Sequence, residues 1–82
     1  MKREETLNQV QEIFRDILDD DSILLTDEKT ADDVEGWDSL AHIQLIVAIE
    51  KHFKIKFTSK EILSWKNVGE LMDSLMEKLV VK

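Results

Sequence analysis

The sequence predicts an all-α fold: a four-helix bundle of three longer helices and one short helix, with a long ordered loop between helices one and two. Three observations lead there. Apolar residues recur at helical spacing in three separate segments, cap signatures precede the later ones, and no stretch longer than three residues alternates as a strand does.

Helix one is expected over residues 4–18, where Leu7, Val10, Ile13, Phe14, Ile17 and Leu18 fall on one face. The opposite face, Glu5, Asn8, Glu12 and Arg15, is expected to be solvated. Asp19-Asp20-Asp21-Ser22 ends the pattern, because short polar side chains compete for backbone hydrogen bonds. The connection over residues 19–38 is longer than the roughly 12 to 15 residues beyond which loops carry function or minor structure. Ile23, Leu24 and Leu25 are expected to pin it to the core, with Val34 and Trp37 as a second anchor.

Helix two is expected to start after Asp38, whose carboxylate can accept from the free N–H groups of the first turn, and to run to about residue 52 or 53. Its apolar residues form two groups. Leu45, Ile46, Ile49 and Phe53 suffice for the core, while Leu40, Ile43 and Val47 lie beside Ser39 and remain available for a loop or a partner. Ile55-Lys56-Phe57 is read as an extended connector, since three residues without a mate make no sheet. Thr58-Ser59-Lys60-Glu61 resembles a capping box opening a short third helix to residue 64. Asn67-Val68-Gly69-Glu70 repeats the signature, and Leu71, Leu75 and Leu79, with Met72 and Met76 beside them, define the last helix.

At 82 residues the chain is expected to form a single domain over residues 1–82, with a core too small for a deep pocket. It has no cysteine, so no disulfide or thiolate metal site is available, and the charged start Met1-Lys2-Arg3-Glu4-Glu5 is not followed by the apolar run of a signal peptide. These features predict a cytoplasmic monomer that does not enter a membrane. The net charge of −7 is uneven: residues 1–41 hold 13 acids and 4 bases (−9), and residues 42–82 hold 5 acids and 7 bases (+2). Ten acids crowd into residues 16–38 against Lys29 alone, which argues against nucleic acid and for a basic protein surface as partner.

Ser39 is the residue with chemical promise. The first N–H groups of a helix lack intrahelical partners and carry partial positive charge, so a phosphodiester on a serine there is favourably placed. The competing reading is a local capping serine. For nucleophilic catalysis Ser39 would need a base. His42 has nothing evident to orient it and His52 lies more than three turns away, so both are expected at the surface and no catalytic residue is assigned. Asp19, Asp20 and Asp21 lack the alternate ligand spacing and glycine of a calcium loop, so no metal site is assigned either. Trp37 and Trp65 are read as packing anchors.

Gly36-Trp37-Asp38-Ser39-Leu40, followed by Ile43, Leu45-Ile46, Ala48-Ile49-Glu50 and Phe53-Lys54-Ile55, resembles the acyl carrier proteins, as does the layout of the whole chain. The resemblance implies that Ser39 carries 4′-phosphopantetheine, placed there by a phosphopantetheinyl transferase, and that acyl-loading and acyl-transferring enzymes use the arm's thioester. It implies that Asp38 caps the helix and helps position the serine, and that Leu40, Ile43 and Val47, with Asp32, Asp33 and Glu35 of the loop, form a docking face. The chain departs from the fatty-acid type at Ala41, Gln44 and Lys51, where carboxylates are common. Only Glu50 remains in that helix, which points to partners other than those of general fatty-acid synthesis, and Trp37 directly before Asp-Ser-Leu points to a specialised carrier in polyketide, other secondary-metabolite or polysaccharide pathways. The alternative from another class is a small acidic adaptor that binds a basic partner through the same face without a prosthetic group.

Overall fold

The computed structural model describes residues 2–81, with side chains through residue 79. Four helices follow in order, α1 (Arg3–Leu18), α2 (Ser39–Phe53), α3 (Ser59–Ser64) and α4 (Val68–Val81), and no strand occurs among the described residues. The order and boundaries match the expected bundle. α1 packs on both α2 and α4, and Val10, Phe14, Leu45, Ile49, Leu71, Met72 and Leu75 are sealed between them. Thr6 joins this core despite its hydroxyl, which donates to the Lys2 carbonyl one turn back at 3.0 Å and so leaves no buried group unpaired.

The long loop is ordered, but not by the three consecutive anchors expected. Ile23 and Leu25 are buried while Leu24 is 67% exposed, because the segment is extended and alternate side chains point to opposite sides. Two side chains of α1 hold it there. Arg15 donates from Nε to the Ile23 carbonyl at 2.9 Å, and Gln11 accepts from the Leu25 N–H at 2.8 Å. Arg15 is therefore a partly buried strut instead of free surface. Val34 and Trp37 supply the second anchor as expected.

The loop also completes the start of α4. The first N–H groups of a helix need outside acceptors. Here Val68 donates to the Lys29 carbonyl at 2.8 Å and Gly69 to the Asp27 carbonyl at 2.9 Å. Asn67 takes Glu70 on its side chain at 3.0 Å and Leu71 on its backbone at 3.3 Å, so Asn67 is the expected cap. The Glu70 carboxylate reaches past Asn67 to the Lys66 N–H at 2.7 Å, one residue beyond the usual reciprocal bond. Arg3 clasps the junction from the other side, meeting Asp73 at 2.8 Å, the Gly69 carbonyl at 3.2 Å and Asp27 at 3.4 Å.

α3 has the predicted capping box, with Glu61 N–H on the Thr58 hydroxyl at 3.2 Å and Thr58 N–H on the Glu61 carboxylate at 2.9 Å. The Thr58 N–H, helped by Lys78 at 3.0 Å, holds the Glu61 carboxyl below its usual range. None of the six residues of α3 is buried. It is attached to the bundle by Ile62, which is partly buried against the core, and by residues on either side, Ile55 and Phe57 in the connector and Trp65 at its end.

Candidate functional site

Gly36 lets the loop turn into α2. Its φ of +88° lies in the left-handed region that a side chain disfavours, and the turn it makes brings Trp37 inward and Asp38 to the helix start. Asp38 is the N-cap, its carboxylate accepting from the Ala41 N–H at 2.8 Å and its carbonyl from the His42 N–H at 2.8 Å. Ser39 follows as the first residue of α2, and it is exposed. Negative charge beside this residue benefits from the helix dipole.

Ser39 borders an open cleft of about 680 Å³ between α2 and α3. Trp37, His42 and Ile43 line one side, Ile62, Leu63 and Trp65 the other, with Asp32, Asp38 and Lys66 as its charged residues. The expected separation of apolar groups on α2 is observed: Leu45, Ile46, Ile49 and Phe53 are buried, whereas Leu40 and Ile43 are more than 60% exposed and Val47 is 43% exposed. Leu63 of α3 is 85% exposed and extends this apolar surface across the cleft. Of the loop acids, Asp32 and Glu35 are exposed, and Asp33 is exposed while its carboxylate accepts from the Thr30 N–H and hydroxyl at 3.1 Å each.

Glu50, the remaining acid of α2, accepts the Phe57 N–H at 2.8 Å, which fixes the connector, and it lines the hollow beside Val47. The exposed stripe of α2 runs from Leu40 through Ile43 and Val47 to Lys51 and the C-cap Lys54, and Val47, Glu50, Lys51, Lys54 and Lys56 share a shallow hollow. Among the described residues no group of three or more histidine, aspartate or glutamate side chains is placed to hold a metal ion. Asp20 has a local duty, accepting from the Ser22 hydroxyl at 2.6 Å and its N–H at 3.0 Å, which lowers its carboxyl from the ordinary range.

The histidines divide. His52 is exposed and bonds Gln9 of α1 at 2.8 Å, whereas His42 is half-buried, contrary to the surface position expected. The Trp37 indole N–H points at His42 Nδ1 at 3.1 Å, and the two rings stack at 6.0 Å and 27°. An indole nitrogen can only donate, so Nδ1 must be the unprotonated acceptor and the ring's proton sits on Nε2. Burial lowers the His42 pKa, opposed by a smaller pull from the Ile62 backbone. A ring engaged in this way is not aimed at Ser39 as a base. Trp37 also stands edge-on to Phe14 at 4.9 Å, and Trp65 meets His42 at 6.2 Å and Phe57 at 4.9 Å while its indole donates to Ser74 of α4 at 2.8 Å. Both tryptophans are packing anchors, as expected from the sequence, and the ring between them is the residue that the sequence reading missed.

A family model described as a phosphopantetheine attachment site matches residues 8–75 of the chain. The solution structure of a holo acyl carrier protein from Geobacter metallireducens is similar at a TM-score of 0.87 and 50% identity, covering 93% of this chain and 87% of that one. A protein of Mycobacterium tuberculosis provisionally assigned as an acyl carrier protein is similar at a TM-score of 0.69 and 27% identity, covering 92% of this chain and 95% of that one. With its helix order, its exposed serine at a helix start and a family match over most of its length, the chain belongs to the acyl carrier proteins, which are carriers bearing covalent 4′-phosphopantetheine.

Proposed function

We propose that residues 1–82 act as one carrier domain in which Ser39 bears the 4′-phosphopantetheine arm and the arm's thiol holds an acyl group as a thioester for delivery to biosynthetic enzymes. The observation that carries this reading is the exposed Ser39 at the first position of α2, beside a cleft lined mainly by apolar and aromatic side chains. These residues fit the group. A phosphodiester on Ser39 sits at the positive end of the α2 dipole, Asp38 fixes the helix start that presents the hydroxyl, and Leu40 offers apolar surface next to the arm. The arm supplies the thioester chemistry when attached. The chain's own residues present, orient and dock, and with His42 engaged by Trp37 they supply no catalytic base.

Partner enzymes are read as docking on Leu40, Ile43 and Val47, steered by Asp32, Asp33 and Glu35. At the far end of the stripe Lys51, Lys54 and Lys56 outnumber Glu50, which is tied to the connector, so that end is net basic. At 1.5 Å per residue the step from Leu40 to Lys51 is about 16 Å, so a matching partner is basic near its active-site mouth and acidic about that far along its groove. This polarity favours loading enzymes specialised for this carrier over those of general fatty-acid synthesis.

Incubation with coenzyme A and a broad-specificity phosphopantetheinyl transferase is expected to add the mass of one arm to the protein and none to Ser39→Ala. An unchanged mass, or an arm that persists in the alanine variant, refutes the assignment. The association rate with a loading enzyme is expected to fall as salt shortens the screening length below about 10 Å, as measured by stopped-flow mixing. A rate indifferent to salt would leave the apolar residues as the sole docking determinants.

A further inference from the structure

We infer that His42 is a positioning residue, a proton-sensitive latch that holds α3 near the start of α2 and so limits how wide the cleft beside Ser39 opens. This rests on the reading that Ser39 is the modified residue. The geometry is an unbroken run of contacts from the core to α3. Phe14 of α1 supports Trp37, Trp37 donates to His42 Nδ1, and the opposite edge of the His42 ring faces the Ile62 backbone of α3 and the Trp65 ring at its end.

α3 depends on such ties to an unusual degree. It is six residues long, buries none of them, and exposes Leu63 almost fully. Its other anchors are Ile62, partly buried against the core, the partly exposed and therefore weak Glu61–Lys78 ion pair, and Trp65 against Phe57 and Ser74. His42 adds a polar tie between the helix bearing Ser39 and the end of α3.

The latch is bistable because a neutral imidazole can accept at Nδ1 and donate at Nε2, whereas an imidazolium only donates. Once Nδ1 is protonated it confronts the Trp37 N–H as donor to donor, and the half-buried ring carries a charge that burial penalises. The charged groups facing His42 come from two elements: Asp32 and Asp38 from the loop, and Lys66 from the α3–α4 connection. Asp38 is already committed to the Ala41 N–H, and α1 and α4 present Phe14 and Leu71 to this region. Burial favours the neutral ring in the closed state, so the closed state is undisturbed above the ordinary histidine value of 6.5 and loses ground as pH falls below it.

The test combines nuclear magnetic resonance with transfer kinetics. In the wild-type protein the Trp37 indole N–H signal is expected to move upfield in step with titration of the His42 ring protons, and the Ile62 and Leu63 amides are expected to follow. Glutamine can accept from Trp37 and donate toward Ile62 without titrating. In His42→Gln the acid shift is therefore expected to vanish, whereas His42→Ala shows the open pattern at every pH. Transfer from coenzyme A by one transferase is then measured at neutral and acid pH. Dividing each protein's acid rate by its neutral rate removes the enzyme's own pH dependence. Wild type and His42→Gln are expected to differ in this quotient by about fivefold, the size of one net hydrogen bond. Equal quotients, or an indole signal that ignores the His42 titration, overturn the latch. If no protein accepts the arm at any pH, the assignment of Ser39 falls while the indole titration still decides the latch.

Discussion

Phe14→Ala is expected to bring the domain to the edge of unfolding. Phe14 is fully buried about one turn before the end of α1, and its ring stands edge-on to Trp37 at 4.9 Å. Truncating such a ring to alanine removes its transfer free energy and leaves a cavity that a rigid bundle only partly fills, at a cost of about 3 to 5 kcal/mol. Domains of this class hold a total stability of about 5 to 15 kcal/mol, and a chain of 82 residues belongs near the lower end. The variant is therefore expected to lose most of its cooperative urea transition, followed through tryptophan fluorescence. A midpoint displaced no further than that of an exposed control, such as Glu5→Ala, would show that α1 is not the keystone of the core. Because Phe14 also backs Trp37, the damage is expected to reach the Ser39 end of α2 before the far end.

The second large effect is expected at Gly69. A Cβ there would stand 3.2 Å from Asp27 Cβ, from the Asp27 carbonyl oxygen and from Asn67 Oδ1, while the residue's own N–H donates to that carbonyl. The glycine is needed for close approach, not for an unusual backbone angle. In Gly69→Ala the neighbours must give by a few tenths of an ångström, and the gain in helix propensity of about 1 kcal/mol offsets part of that strain. Gly69→Val adds two branches with no room, so the loop must move off and the first N–H groups of α4 lose their acceptors. The expected cost is about 1 to 3 kcal/mol for valine, larger than for alanine, read from thermal unfolding together with faster hydrogen exchange at Val68 and Gly69. Equal stability of the two variants would mean that the loop yields freely at this point.

How legible these features were follows from the range of the interactions behind them. The longer helices were readable from their own 3.6-residue patterns, and the caps at Asp38, Thr58 and Asn67 marked where the last three begin. Ser39 was readable because its neighbours in sequence are also its neighbours in space. Leu24 was misplaced because three consecutive apolar residues look alike until the backbone is known to be extended, when period two sends the middle one outward. Thr6 stands four residues before Val10 and eight before Phe14, so the same helical face could have identified it as core. His42 could not be found that way. Its partner Trp37 lies five residues back and outside the helix, where helical spacing rules have no force, and its contacts with Ile62 and Trp65 are set by the fold. The engagement of Glu50 by the Phe57 N–H was hidden for the same reason, and it gives the remaining acid of α2 a structural duty.

The splicing of the loop onto α4 has a thermodynamic meaning for recognition. Fixing a residue of free chain costs about 1 to 2 kcal/mol of conformational entropy, so a partner that had to order a twenty-residue acidic tether would bind weakly however well its charges matched. Here the carbonyls of Asp27 and Lys29 are already held by α4, Arg15 holds Ile23, and Thr30 is bonded to Asp33. Folding has met that entropy cost in advance. Whatever surface reads Asp32, Asp33 and Glu35 meets a preformed constellation of charge whose spacing can discriminate one partner from another.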